Sequence, residues 1–113
     1  RARYVSDLRF QQYGGGAAPE AEEASDLPEL LYLPGLDGNG AYTADFEFEA
    51  MQGSYSIWQL LLGPRDRTPF GDLVREICEF LRSRPGAVLV GESFGALLAL
   101  AVALELQQSG ESP

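Results

Sequence analysis

The chain has 113 residues, 45% of them hydrophobic, enough for one small domain with a modest core. Seventeen acidic residues against eight basic ones give a net charge of -9, and every basic residue is an arginine; with no basic patch, nucleic-acid binding through phosphate contacts is excluded, and the acidity favours solubility without naming a function. One cysteine rules out an internal disulfide and a cysteine-built metal site, no metal or cofactor is implied, and the absence of histidine restricts the acid–base chemistry the chain can run by itself.

Taken in order, Arg1-Ala2-Arg3-Tyr4 lacks the apolar run of a secretory signal. Because it opens on Arg rather than Met, translation is expected to start elsewhere. Leu8 to Phe10 alternates as a short strand. Residues 14–25, rich in glycine, alanine and glutamate, have no apolar period and read as a flexible acidic linker. Residues 1–29 are thus a weak strand plus a linker, and residues 30–113 form the domain proper.

Leu30-Leu31-Tyr32-Leu33 is a buried strand that feeds Pro34-Gly35-Leu36-Asp37-Gly38-Asn39-Gly40. Three glycines and a proline in seven residues make a conformationally demanding loop, of the kind that brings backbone close to a ligand. A phosphate cradle lacks the Walker spacing and its Gly-Lys pair. An oxyanion loop, and a turn with no chemistry, both stay open. From Ala41 to Met51 two periods compete: Phe46 and Phe48 alternate with acids, whereas Ala44, Phe48 and Met51 fall at helical spacing. A helix with a solvated acidic face is expected.

Tyr55 to Leu62 is rich in β formers and reads as a second buried strand, with Trp58 in the core. Thr68 as N-cap and Pro69 at the first helical position open a helix, and Arg82 and Arg84 complement its C-terminal dipole before Pro85-Gly86 stop it. Its stripe, Phe70, Leu73, Val74, Ile77, Cys78 and Leu81, predicts one buried face, and Cys78 an inert core thiol. Ala87 to Val90 is a third apolar strand, and Ala96 to Leu104 is rich in helix formers and apolar nearly all round. That helix should be buried by the sheet and its neighbours. Residues 87–106 approach membrane-spanning length, but Gly91-Glu92-Ser93 interrupts them and Glu92 would be costly in lipid, so no transmembrane segment is assigned.

Between strand and helix lies Gly91-Glu92-Ser93-Phe94-Gly95, a G-x-S-x-G pentapeptide in the strand–turn–helix context of a nucleophile elbow. Gly91 and Gly95 allow strand and helix to approach, and the helix N-terminus presents N–H groups to an oxyanion. The bland alternative is a buried turn whose serine merely caps the helix. The alternation of strand and helix from Leu30 onward predicts an α/β fold with a mainly parallel sheet and flanking helices.

Leu33-Pro34-Gly35-Leu36-Asp37-Gly38, Ile57-Trp58, Asp66-Arg67-Thr68-Pro69-Phe70 and Gly91-Glu92-Ser93-Phe94-Gly95 together resemble the α/β-hydrolase domain of the plastid phytyl ester synthases, the acyltransferase-like proteins of plants and algae. The similarity runs from about Leu30 to Leu104. It implies the N-terminal part of an α/β-hydrolase fold, incomplete after the elbow helix, and acyl transfer to phytol or diacylglycerol from acyl-thioester or lipid donors. A chloroplast location and peripheral membrane contact follow from the resemblance alone. By the same match Ser93 is the nucleophile, the backbone N–H groups of Leu36 and Phe94 form the oxyanion hole, and Gly35, Gly91 and Gly95 support the turns. Asp66 and Arg67 receive no role beyond a structural salt link.

A serine hydroxyl needs a base, and this chain has neither histidine nor lysine to supply it; Glu92 is a poor substitute, since neighbouring side chains at a sharp turn point apart. The expectation is therefore an acyltransferase of which these residues form an inactive part. An esterase, lipase or thioesterase of the same fold is the first alternative, and a non-catalytic lipid- or protein-binding module the second.

Overall fold

The computed structural model describes residues 4–14, 27–35 and 45–110. Four strands pair into one mixed sheet: β1 (Leu8–Gln12), β2 (Glu29–Leu33), β3 (Ser56–Leu62) and β4 (Val88–Gly91), in the order β1-β3-β2-β4. β2 runs parallel to both β3 and β4, with Leu31 opposite Trp58 on one side and Leu89 on the other. β1 is antiparallel to β3, with Phe10 opposite Leu60. The expected strands are all present, and β1 brings the N-terminal segment into the same sheet.

Position in the sheet explains the sequence of each strand. β2 has a strand on each side and helices on both faces, so Leu30, Leu31, Tyr32 and Leu33 are all buried and the run has no polar alternation. Each such side chain contributes roughly 2 kcal/mol by its removal from water. β1 has one strand neighbour; Leu8, Phe10 and Gln12 are half-buried while Arg9 and Gln11 are exposed, which is the alternation read from sequence.

Helix α1 (Asp45–Met51) covers one face, where Phe48 packs edge-on against Tyr13 and Tyr32 beside Leu30 and Ile57. Helical spacing prevailed over alternation here because it carries both Phe48 and Met51 to that cluster. Helices α2 (Phe70–Arg82) and α3 (Phe94–Gln108) cover the other face over Leu31, Leu33 and Leu60. The α2 stripe is buried at Leu73, Ile77, Cys78 and Leu81, whereas Phe70 is 43% exposed.

Other expectations need correction. Thr68 is not the N-cap: α2 starts at Phe70 with Pro69 in the cap position and no side-chain cap bond. The Thr68 hydroxyl instead donates to Asp66 Oδ1 at 2.8 Å, an acceptor two residues upstream. Nor does α3 sink into the protein on all sides. Gly95, Leu98, Val102 and Leu106 are buried, but Leu97, Leu100 and Leu104 are among the most exposed large apolar residues, because no described element packs on that side.

The loop from β3 to α2 is tied to the approach to β1 through Asp66. Its carboxylate accepts the Asp7 N–H (2.8 Å), the Thr68 N–H (3.2 Å) and the Thr68 hydroxyl. Arg67 N–H donates to the Val5 carbonyl and Gly63 N–H to the Asp7 carbonyl. The Arg67 guanidinium is directed to the carbonyls of Asp66 and Pro64, so these two residues act separately on backbone rather than as a salt link. Beyond the C-terminus of α2, Arg84 lies over the rings of Phe80 (3.9 Å) and Trp58 (4.9 Å) and donates to the Phe80 carbonyl. Its Nε stands 3.4 Å from Glu29 Oε1 as an ion pair without hydrogen-bond geometry, while Glu29 Oε2 accepts the Trp58 indole N–H.

Candidate active site

The chain leaves β2 toward α1 on one face of the sheet and leaves β4 toward α3 on the other. β2 and β4 are adjacent, so their carboxyl ends diverge at a topological switch point, the position where open α/β sheets form their ligand crevice. The two loops at this point are Pro34-Gly35 after β2 and Glu92-Ser93 after β4, and they touch: a Cβ on Gly35 would lie 3.6 Å from Ser93 Cβ. That is ordinary contact, so closeness at Gly35 does not by itself demand glycine. Gly91 and Gly95 are more constrained. A Cβ on Gly95 would run into the Leu33 carbonyl and reach 2.7 Å from the Pro34 oxygen. One on Gly91 would strike the Gly95 carbonyl and come within 2.8 Å of Ala96 Cα. The expected strand–helix approach is therefore a backbone-on-backbone contact.

Ser93 sits at φ 58, ψ -117, and is the one non-glycine residue with positive φ among those described. These dihedrals lie close to those of the first central position of a type II′ turn, about +60 and -120, where glycine is preferred. The Gly95 N–H donates to the Glu92 carbonyl at 2.8 Å and closes that turn. A residue held in this region costs of order 1–3 kcal/mol and needs surrounding structure to impose it. Here the Glu92 N–H bond to the Leu33 carbonyl (3.2 Å) and the packing of Gly95 on Leu33 do so. The bland alternative fails on the same residue: Ser93 makes no side-chain cap bond, its backbone is not the extended form of an N-cap, and it is exposed.

Past the turn, the first N–H groups of α3 point along its axis. Gly95, Ala96 and Leu97 N–H donate to the carbonyls of Glu92 or Ser93. Phe94 N–H, at the first helical residue, has no backbone acceptor among the described residues. Leu36, the other expected oxyanion donor, lies outside the described residues, as do Asp37 to Gly40. The Glu92 carboxylate accepts the hydroxyl of buried Tyr32 at 2.5 Å, which joins the end of β2 to the elbow. Sequence reasoning missed this tie. Its signal was a tyrosine inside an all-apolar strand, since a buried phenol needs a partner. Among the described residues no group of acidic or thiol side chains is placed to hold a metal ion.

The chain is similar to two curated plant proteins. It is 43% identical over 88 residues to phytyl ester synthase 2, chloroplastic, of Arabidopsis thaliana, and 40% identical over 84 residues to phytyl ester synthase 1, chloroplastic, of the same plant. The matches cover 72% and 69% of this chain but 12% of each relative. No family model matches the chain, and no solved structure does. Among the described residues no helix is long and apolar enough to cross a membrane.

Proposed function

We propose that this chain carries the nucleophile and part of the oxyanion hole of an α/β-hydrolase-type acyltransferase acting on lipid esters or thioesters, of the phytyl ester synthesis type and located in the chloroplast. The single observation behind this reading is Ser93: an exposed, uncapped hydroxyl on a left-handed turn between a parallel strand and a helix. The switch-point position of that turn and the names of the two relatives support it.

In this mechanism Ser93 Oγ bonds to the carbonyl carbon of the acyl donor while its proton passes to a general base. The carbonyl π pair moves onto oxygen, which is received by the N–H groups of Phe94 and Leu36, each worth roughly 3 kcal/mol of barrier. Collapse expels the donor's thiol or alcohol, which takes the proton, and leaves an acyl-Ser93 ester. An alcohol, phytol or diacylglycerol, then repeats the steps in reverse and carries the acyl group away. Water in place of that alcohol gives an esterase, lipase or thioesterase.

The base and its acid partner come from residues outside these 113, which include no histidine. The same absence favours a second reading, a hydrolase-like module that binds lipid or a partner without catalysis. A serine-reactive fluorophosphonate distinguishes the two in the product of the full reading frame that contains this chain: labelling that is lost in Ser93→Ala supports the enzyme. Labelling untouched by Ser93→Ala, or ester turnover by the 113 residues alone, overturns the proposal. Competition between phytol, diacylglycerol and water for the acyl group then decides the acceptor.

A further inference from the structure

Phe70 departs from the pattern of its own helix. Every other member of the α2 stripe is buried or half-buried, yet this large aromatic is 43% exposed at the first helical position. It lies at the carboxyl end of the sheet, because it follows the loop that leaves the end of β3. That loop is held by the three hydrogen bonds to Asp66, so the start of α2 is fixed rather than loose. The ring of Phe70 meets the ring of half-buried Phe94 edge-to-face, with centroids 6.1 Å apart. Phe94 is the residue after Ser93, and its N–H has no backbone acceptor among the described residues. An apolar aromatic pair, partly open to solvent, therefore stands one residue from the exposed hydroxyl.

The exposed part of the Phe70 ring offers no polar group. Its apolar surface suits a ligand that brings an alkyl chain and a carbonyl to the same place. Polar acyl groups would gain nothing from it, and an acetyl group is too short to cover it.

We infer that Phe70 and Phe94 form the wall along which the alkyl chain of the acyl group lies while its carbonyl is at Ser93, so that Phe70 is a determinant of acyl-chain length. The inference rests on the reading of Ser93 as nucleophile. Each methylene that reaches such a wall adds apolar burial, so a few of them separate long from short chains.

The test compares labelling rates of the full reading-frame product by an ethyl and by a hexadecyl fluorophosphonate. In Phe70→Ala the ratio of the long-chain to the short-chain rate is expected to fall about tenfold, within the range for lost contacts in an apolar site. Phe70→Leu, which keeps an apolar side chain, is expected to fall between Phe70→Ala and the parent, and thermal melting of each variant checks that it is folded. A long-to-short ratio unchanged in both variants, with the two rates either intact or falling together in proportion to lost folded protein, overturns the inference. Failure of the underlying reading looks different: labelling by both probes would then be absent from the parent protein or would survive Ser93→Ala.

Discussion

The backbone of Ser93 makes a prediction that separates its conformation from its chemistry. Ser93→Gly removes the Cβ that resists φ 58 and is expected to raise the thermal midpoint relative to Ser93→Ala, a difference of ~1 kcal/mol, although both lose the hydroxyl. Equal midpoints for the two variants would sink the argument that the turn is strained. Gly95→Ala has no such freedom, since the new methyl would press on the Leu33 carbonyl; a loss of about 2–3 kcal/mol in denaturant titration is expected. At Tyr4 the hydroxyl donates to Asp72, which also pairs with Arg75. The bond to Tyr4, then that to Arg75, holds the Asp72 carboxyl below its usual range, and the same bond to Asp72 raises the Tyr4 hydroxyl. The signs follow. Asp72 contributes stability that is present above its unfolded pKa and lost as pH falls through the lower folded value. Tyr4 contributes stability that is present below its unfolded pKa and lost as pH rises through the higher folded value. Tyr4→Phe is expected to flatten both limbs of a plot of melting temperature against pH; an unchanged profile would count against the pair.

At the scale of elements, Asp66 links β1 to the β3–α2 loop, so Asp66→Ala should loosen β1 more than any other strand. Hydrogen exchange is expected to quicken at Phe10 and its β1 neighbours, with a stability loss of about 1–3 kcal/mol; uniform acceleration across all four strands would show that Asp66 has no such local role. The elements themselves were legible. The run Leu30 to Leu33 announced a strand covered on both faces, and Gly91, Ser93 and Gly95 announced a tight strand-to-helix turn, because burial and close approach leave a mark on residue type. What stayed hidden depended on partners distant in sequence. Nothing in Leu8 to Gln12 says that its neighbour is β3 or that the two are antiparallel. The capping rule chose Thr68 because it weighs a local helix and not the Asp66 carboxylate that competes for the same hydroxyl. Periodicity placed Phe70 in the core, since it counts spacing along the helix and cannot see that the sheet ends below its first turn.

For the whole molecule, the decisive asymmetry is on the side of β4 and α3. β4 pairs only with β2 among the described strands, Val88 and Val90 are exposed, and Leu97, Leu100 and Leu104 make an open apolar stripe. The 113 residues by themselves, despite their charge of -9, are expected to self-associate, and Leu100→Glu combined with Val90→Lys should shift them to monomer in sedimentation velocity. A monomer before substitution would contradict this. The opposite pole of the sheet has a use of another kind. Trp58 is the chain's one tryptophan, and it lies under the Arg84 guanidinium with its indole N–H on Glu29, at the start of β2. It is four residues before the carboxyl end of β3, roughly 13 Å at the rise of an extended strand. Its fluorescence is thus a built-in optical reporter of folding at the pole remote from Ser93. A lipid or inhibitor reaching the serine should leave that emission unchanged, and an occupancy signal must come from a fluorophore introduced at the other end.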